Sequence, residues 1–180
     1  MTTRRVESLF SGLLLSLAMA LPAWSAPAYI AADVPAARLS GQGTFRWFGL
    51  SIYQAQLWVG ANGTAADAPL ALELTYSRAF DGKKIAESSA GEIRKLDIGT
   101  PAQQADWLAR MTALFPHVNE GTRITGVFLP DRGARFYLDG KLLGEIADPA
   151  FARAFFAIWL DPKTSADSLR KALLMNAAPR

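Results

Sequence analysis

Apolar and polar residues alternate with period two in the first half of the chain. Over Thr44 to Leu50, Thr44, Arg46, Phe48 and Leu50 share one side, with Phe45, Trp47 and Gly49 on the other. From Ile52 to Val59, Tyr53, Ala55, Leu57 and Val59 share a face, and Gly60-Ala61-Asn62-Gly63 breaks the run. Leu70 to Arg78 is the cleanest strand, with Leu70, Leu72, Leu74, Tyr76 and Arg78 on one side. The period then lengthens. Ile85, Ser89, Ile93 and Leu96 stand at helical spacing behind Asp81, a residue suited to capping. Thr100, Pro101 and Gln103 open a second helix with a capping box, and Pro116 stops it. Three short strands follow: Arg123 to Leu129, Arg135 to Leu138 and Leu142 to Ile146. Asp139-Gly140 supplies a tight hairpin between the last two. Asp148-Pro149 opens a helix that is apolar almost all round, which predicts deep burial. Thr164-Ser165 starts a final helix with Leu169, Leu173 and Leu174 inward.

Three strands, two helices, three strands and two helices make an α+β pattern: a mainly antiparallel sheet covered by helices on one side. The N-terminus reads differently. The apolar run Leu9 to Leu21 follows Arg4 and Arg5 and precedes Ala23-Trp24-Ser25-Ala26, as in a secretory signal peptide cut after Ser25. The rival, an uncleaved anchor, needs about 20 apolar residues, and the run is shorter. The expected division is therefore a signal peptide over 1–25, an extended Ala- and Pro-rich arm over 26–38, and one domain over 39–176. This places the mature protein in the periplasm or outside the cell, with no stable membrane span.

Composition narrows the chemistry. There are no cysteines, so neither disulfides nor a lipid-modified N-terminal cysteine is expected. One histidine, His117, cannot build a multi-histidine metal site, and no Gly-x-Ser-x-Gly elbow accompanies it. A net charge of +3 without a basic stripe argues against a dedicated nucleic-acid binder. No cofactor or metal is expected. The informative residues are polar groups within apolar faces: Arg46, Tyr76, Ser89 and Tyr137. An apolar pocket with a guanidinium at one end suits an amphipathic ligand bearing a carboxylate or phenolate. The plainer reading is an arginine that snorkels from a sheet edge and tyrosines with wet hydroxyl tips. Phe151, Phe155, Phe156 and Trp159 read as core or as a pocket wall. Lys83 and Lys84, opening a helix against its dipole, are a weak hint of an anion site.

Several stretches together resemble the bacterial chalcone isomerase-like family. They are Gly41 to Gly49, Ile52 to Trp58, Ala71 to Arg78 and Phe115 to Gly121. Asp148 to Leu160, with its Phe155-Phe156-Ala157-Ile158-Trp159-Leu160, and Thr164 with Leu169-Arg170 complete the set. The resemblance implies an open-faced sandwich, a sheet with helices enclosing a hydrophobic cleft. In that superfamily, enzymes cyclise chalcones and non-catalytic relatives bind fatty acids. Both uses rely on an arginine near the first strand, for which Arg46 is the nearest match. The plant enzymes also share a Tyr and an Asn on the first helix of this region. Gly82 to Glu92 has neither, with Ile85 and Glu92 near those places. An oxyanion site without its donor loses ~10²–10³ in rate. The resemblance therefore implies a small hydrophobic or fatty-acid-like ligand held without catalysis. An intramolecular lyase or isomerase with Arg46 as its electrostatic group is one alternative, and an envelope accessory protein another.

Overall fold

The computed structural model describes residues 25–179. The predicted signal peptide lies almost wholly outside them. Six strands form one sheet in sequential order, every neighbouring pair antiparallel. They are β1 (Arg38–Trp47), β2 (Leu50–Val59), β3 (Leu70–Tyr76), β4 (Arg123–Leu129), β5 (Gly133–Leu138) and β6 (Lys141–Ile146). Helix α1 (Ala28–Asp33) precedes the sheet. Helices α2 (Gly82–Lys95) and α3 (Pro101–Leu114) connect β3 to β4, and α4 (Pro149–Leu160) and α5 (Asp167–Leu173) close the chain.

The alternation read from the sequence becomes two sheet faces. Ala55, Leu57, Val59, Leu70, Leu72, Leu74, Ile124, Phe128 and Phe136 belong to the main core, which the helices α2 to α5 help to build. Local signals set the helix starts. Asp81 accepts from Lys83 N, and Thr100 and Gln103 form the reciprocal capping box. Asp148 accepts from Ala150 N, Phe151 N and Trp107 Nε1, so one carboxylate both caps α4 and ties it to α3. Burial would raise the Asp148 carboxyl, but these hydrogen bonds outweigh it and hold the group below its ordinary range.

Three elements differ from the sequence reading. The first strand ends at Trp47, and Phe48-Gly49 form a two-residue turn, both with positive φ. The stretch expected as an extended arm contains α1, whose Ile30 and Val34 are fully buried under the other face of the sheet, against Trp58 and Val127. A six-residue helix has little stability of its own, so side-chain contacts with the sheet decide its form. The last helix starts at Asp167, because Thr164 is used earlier: its hydroxyl donates to Ile158 O and accepts from Ala166 N.

Register shifts occur at Leu39/Gly41 and Phe45/Arg46 in the β1–β2 pairing, and at Phe136/Tyr137 in the β5–β6 pairing. Ser40, the extra residue at the first shift, donates its hydroxyl to Leu173 O at 2.7 Å and so anchors α5. A side chain at Gly41 would come within 2.0 Å of Ala172 O, so glycine is needed where α5 crosses β1.

Candidate functional site

A cleft of about 500 Å³ opens between the sheet and helices α2 and α4, within the size range of small-molecule sites. Leu74 and Tyr76 of β3, Ile124 of β4 and Tyr53 of β2 line its sheet side; Phe155, Ile158 and Trp159 of α4 form a wall. The space exists because α2 presents Ser88, Ser89 and Gly91 there, where bulkier side chains would fill it. Phe45 and Trp47 of β1 extend the lining toward the Phe48-Gly49 turn.

Two phenols stand in this apolar setting. The Tyr53 hydroxyl accepts a hydrogen bond from Trp159 Nε1 at 2.9 Å, which leaves its own proton free to donate. The Tyr76 residue is only 5% exposed; its hydroxyl makes no hydrogen bond to a protein group among the described residues, but the oxygen is not sealed off and reaches the cleft space. Burial pushes both phenols well above their ordinary range, so both are neutral donors at physiological pH. Their rings lie 6.0 Å apart, edge to face. Nearer the surface, Glu92 accepts from Lys95 Nζ at 2.7 Å and from Ser165 Oγ at 2.6 Å. Burial acts to raise the Glu92 carboxyl, but these two donors outweigh it and hold the group below its usual range. Lys84 also lines the cleft and has no acidic partner among the described residues. The arrangement can solvate an anionic or carbonyl oxygen with phenol protons and an ammonium, while apolar walls take the rest of a ligand.

Of the four residues singled out from the sequence, the structure brings two to the cleft. Tyr76 and Ser89 line it, although the Ser89 hydroxyl already donates to Ile85 O at 2.9 Å. Arg46 does not line it. It lies between two cleft-lining residues, Phe45 and Trp47, and is exposed. Tyr137 is on the opposite face of the sheet, where its hydroxyl donates to Asp33 Oδ2 at 3.0 Å. There it belongs to the latch that holds α1. Arg135 pairs with Asp33 and Glu145, and Tyr29 donates to the buried Glu73, which Thr125 also contacts at 3.0 Å. Burial, then the bond to Glu73, pushes the Tyr29 phenol up to about 12. Tyr53 was not singled out from the sequence, although its place on the face of Ala55 and Leu57 was a usable signal. Lys84 was legible as half of the unfavourable pair at the start of α2.

A family model described as chalcone isomerase-like matches residues 19–175. Among solved structures, a fatty-acid binding protein of Arabidopsis thaliana superposes with a TM-score of 0.65 at 13% identity, over 79% of this chain and 89% of that one. At that identity the likeness shows a shared fold. No curated protein matches the sequence. The family match runs from before the described residues to beyond α5, across every element that builds the cleft. On that span, the chain belongs to the chalcone isomerase-like family.

Proposed function

We propose that the cleft holds a small amphipathic ligand, a fatty acid or a molecule of similar chemistry, without transforming it. The observation that carries this reading is the Tyr76 hydroxyl: a donor without a protein partner among the described residues, facing an otherwise oily cleft. A ligand filling the cleft strips water from this hydroxyl, and leaving it unpaired would then cost on the order of 1–3 kcal/mol, so a ligand with an oxygen at that point is favoured. Lys84 supplies the positive charge that the sequence reading assigned to Arg46. The Arabidopsis neighbour, described as a fatty-acid binding protein, supports the same ligand class. The lyase reading is weakened because the guanidinium named as its electrostatic group lies outside the cleft.

Tyr76→Phe tests the assignment. The hydroxyl makes no hydrogen bond to a protein group among the described residues, so the variant is expected to unfold at the same denaturant concentration as the parent. Its affinity for a long-chain fatty acid, measured on delipidated protein by calorimetry, is expected to fall about tenfold. Parent protein that takes up no acyl chain, by calorimetry and by native mass spectrometry, would sink the proposal.

We also propose export, to the periplasm of a bacterium or beyond it. The support is the basic, apolar and small-residue order of the first 26 residues. Protein recovered from the envelope fraction is expected to begin at Ala26. An intact Met1 in the cytoplasmic fraction would refute the proposal.

A further inference from the structure

The tip of the β1–β2 hairpin is the most exposed apolar feature among the described residues. Phe48 is 89% exposed, Trp47 57% and Leu50 52%. The Trp47 and Phe48 rings meet edge to face at 5.0 Å, so they form one wedge. The wedge is continuous with the cleft, because Trp47 also lines it.

The backbone makes the choice of residue more telling. Phe48 has φ 46° and Gly49 φ 79°, the geometry of a two-residue turn that favours Asn-Gly. A phenylalanine there is strained in its backbone and hydrated on its ring. Nothing within the described fold repays either cost. Three cations lie at this end of the sheet and cleft, whose lining carboxylate Glu92 is held by Lys95 and Ser165. Arg46 is exposed next to Trp47, and Lys84 lines the same cleft. Ser77 N donates to Ile52 O, which brings the exposed Arg78 to the same end of the sheet. Of the two acidic residues three positions from Lys84, Asp81 is engaged as the cap of α2 and Glu87 lies 3.9 Å from Lys83.

We propose that this tip docks the mouth of the cleft onto an anionic lipid bilayer. Aromatic side chains favour the interfacial layer of a bilayer, and flanking arginine and lysine favour its anionic head groups. Three side chains are far fewer than the roughly 20–30 residues a side of a stable protein interface. They suit shallow, reversible insertion. Passage of a ligand from bilayer to cleft rests on the function proposed above. Docking does not, and the experiment reads docking alone.

The chain has no cysteine, so Leu50→Cys provides a unique site at the tip. Asp131→Cys, in the β4–β5 turn at the far end of the sheet, is the control. Each full-length variant carries a polarity-sensitive fluorophore and is titrated with phosphatidylglycerol–phosphatidylcholine vesicles. The tip label is expected to brighten and shift to the blue, and the label at position 131 to stay unchanged. Adding Phe48→Asn to the tip variant is expected to weaken the apparent vesicle affinity by about tenfold or more. Its unfolding midpoint should be equal or higher, because Asn-Gly suits the turn. A silent tip label, an equal response at position 131, or a response that survives Phe48→Asn would overturn the proposal. So would a vesicle-independent shift, abolished by Phe48→Asn, that tracks self-association.

Discussion

Phe136→Ala is expected to lower the unfolding free energy by about 3–5 kcal/mol, measured by urea denaturation. Phe136 is fully buried at the centre of the aromatic core. Its ring lies 5.2 Å from those of Phe115 and Phe155 and 6.4 Å from that of Phe151. The size of the loss follows from how little the site can collapse. On the neighbouring strand Gly126 stands opposite Phe136, and a Cβ there would already be 3.3 Å from Phe136 Cε1. Gly126 has no side chain to swing into the vacated space, and Phe155 and Phe151 are held by α4. The void should therefore persist at nearly its full volume. A domain stable by roughly 5–15 kcal/mol would be left close to its unfolding threshold. A loss below about 1 kcal/mol would mean that the rings repack.

Ser89→Trp is expected to abolish most ligand uptake while leaving the fold in place. Ser89 lines the cleft from α2, and its hydroxyl serves only the helix carbonyl of Ile85. An indole at this position enters space that the ligand would occupy. The ligand must then be excluded or forced against the α4 wall. Overpacking of this kind costs about 3 kcal/mol, roughly a hundredfold in affinity. Calorimetry with the same fatty acid reads the loss, and an unchanged or raised melting temperature shows that the indole fills the cleft rather than splitting α2 from α4. Parent-like affinity would place the ligand elsewhere. The contrast with Tyr76→Phe is useful: one variant removes room and the other removes a donor.

The sheet and its helices were legible because the local signals agree with one another. Asp139 and Gly140 take the positive φ that their hairpin requires, and Thr100 with Gln103 forms the capping box that its spacing predicts. Arg46 stands off the cleft for a specific reason. Thr44 and Arg46 do alternate with Phe45 and Trp47. Placing Arg46 on an apolar face counts Phe48 and Leu50 into the same strand, and these belong to the turn and to β2. Phenylalanine in a left-handed turn carries no turn signal, so nothing in the alternation ends the strand at Trp47. Tyr137 shows another limit. Its neighbours Phe136 and Leu138 belong to the main core, and only α1 gives the tyrosine an apolar cover of its own on the other face. Nothing in the Ala- and Pro-rich composition of residues 26–38 announces that cover. Tyr76 and Ser89 were legible because each interrupts an apolar stripe whose inward direction was unambiguous.

The ladder irregularities fall only in the two outermost pairings, while β2–β3, β3–β4 and β4–β5 run without a shift. An open sheet ends in two rows of backbone donors and acceptors that another chain could extend. A growing fibre needs an even template, and bulged border strands present a broken one. Lys141 and Glu145 add charge along the β6 border. These molecules can therefore crowd at high local density without stitching their sheets into a common ribbon.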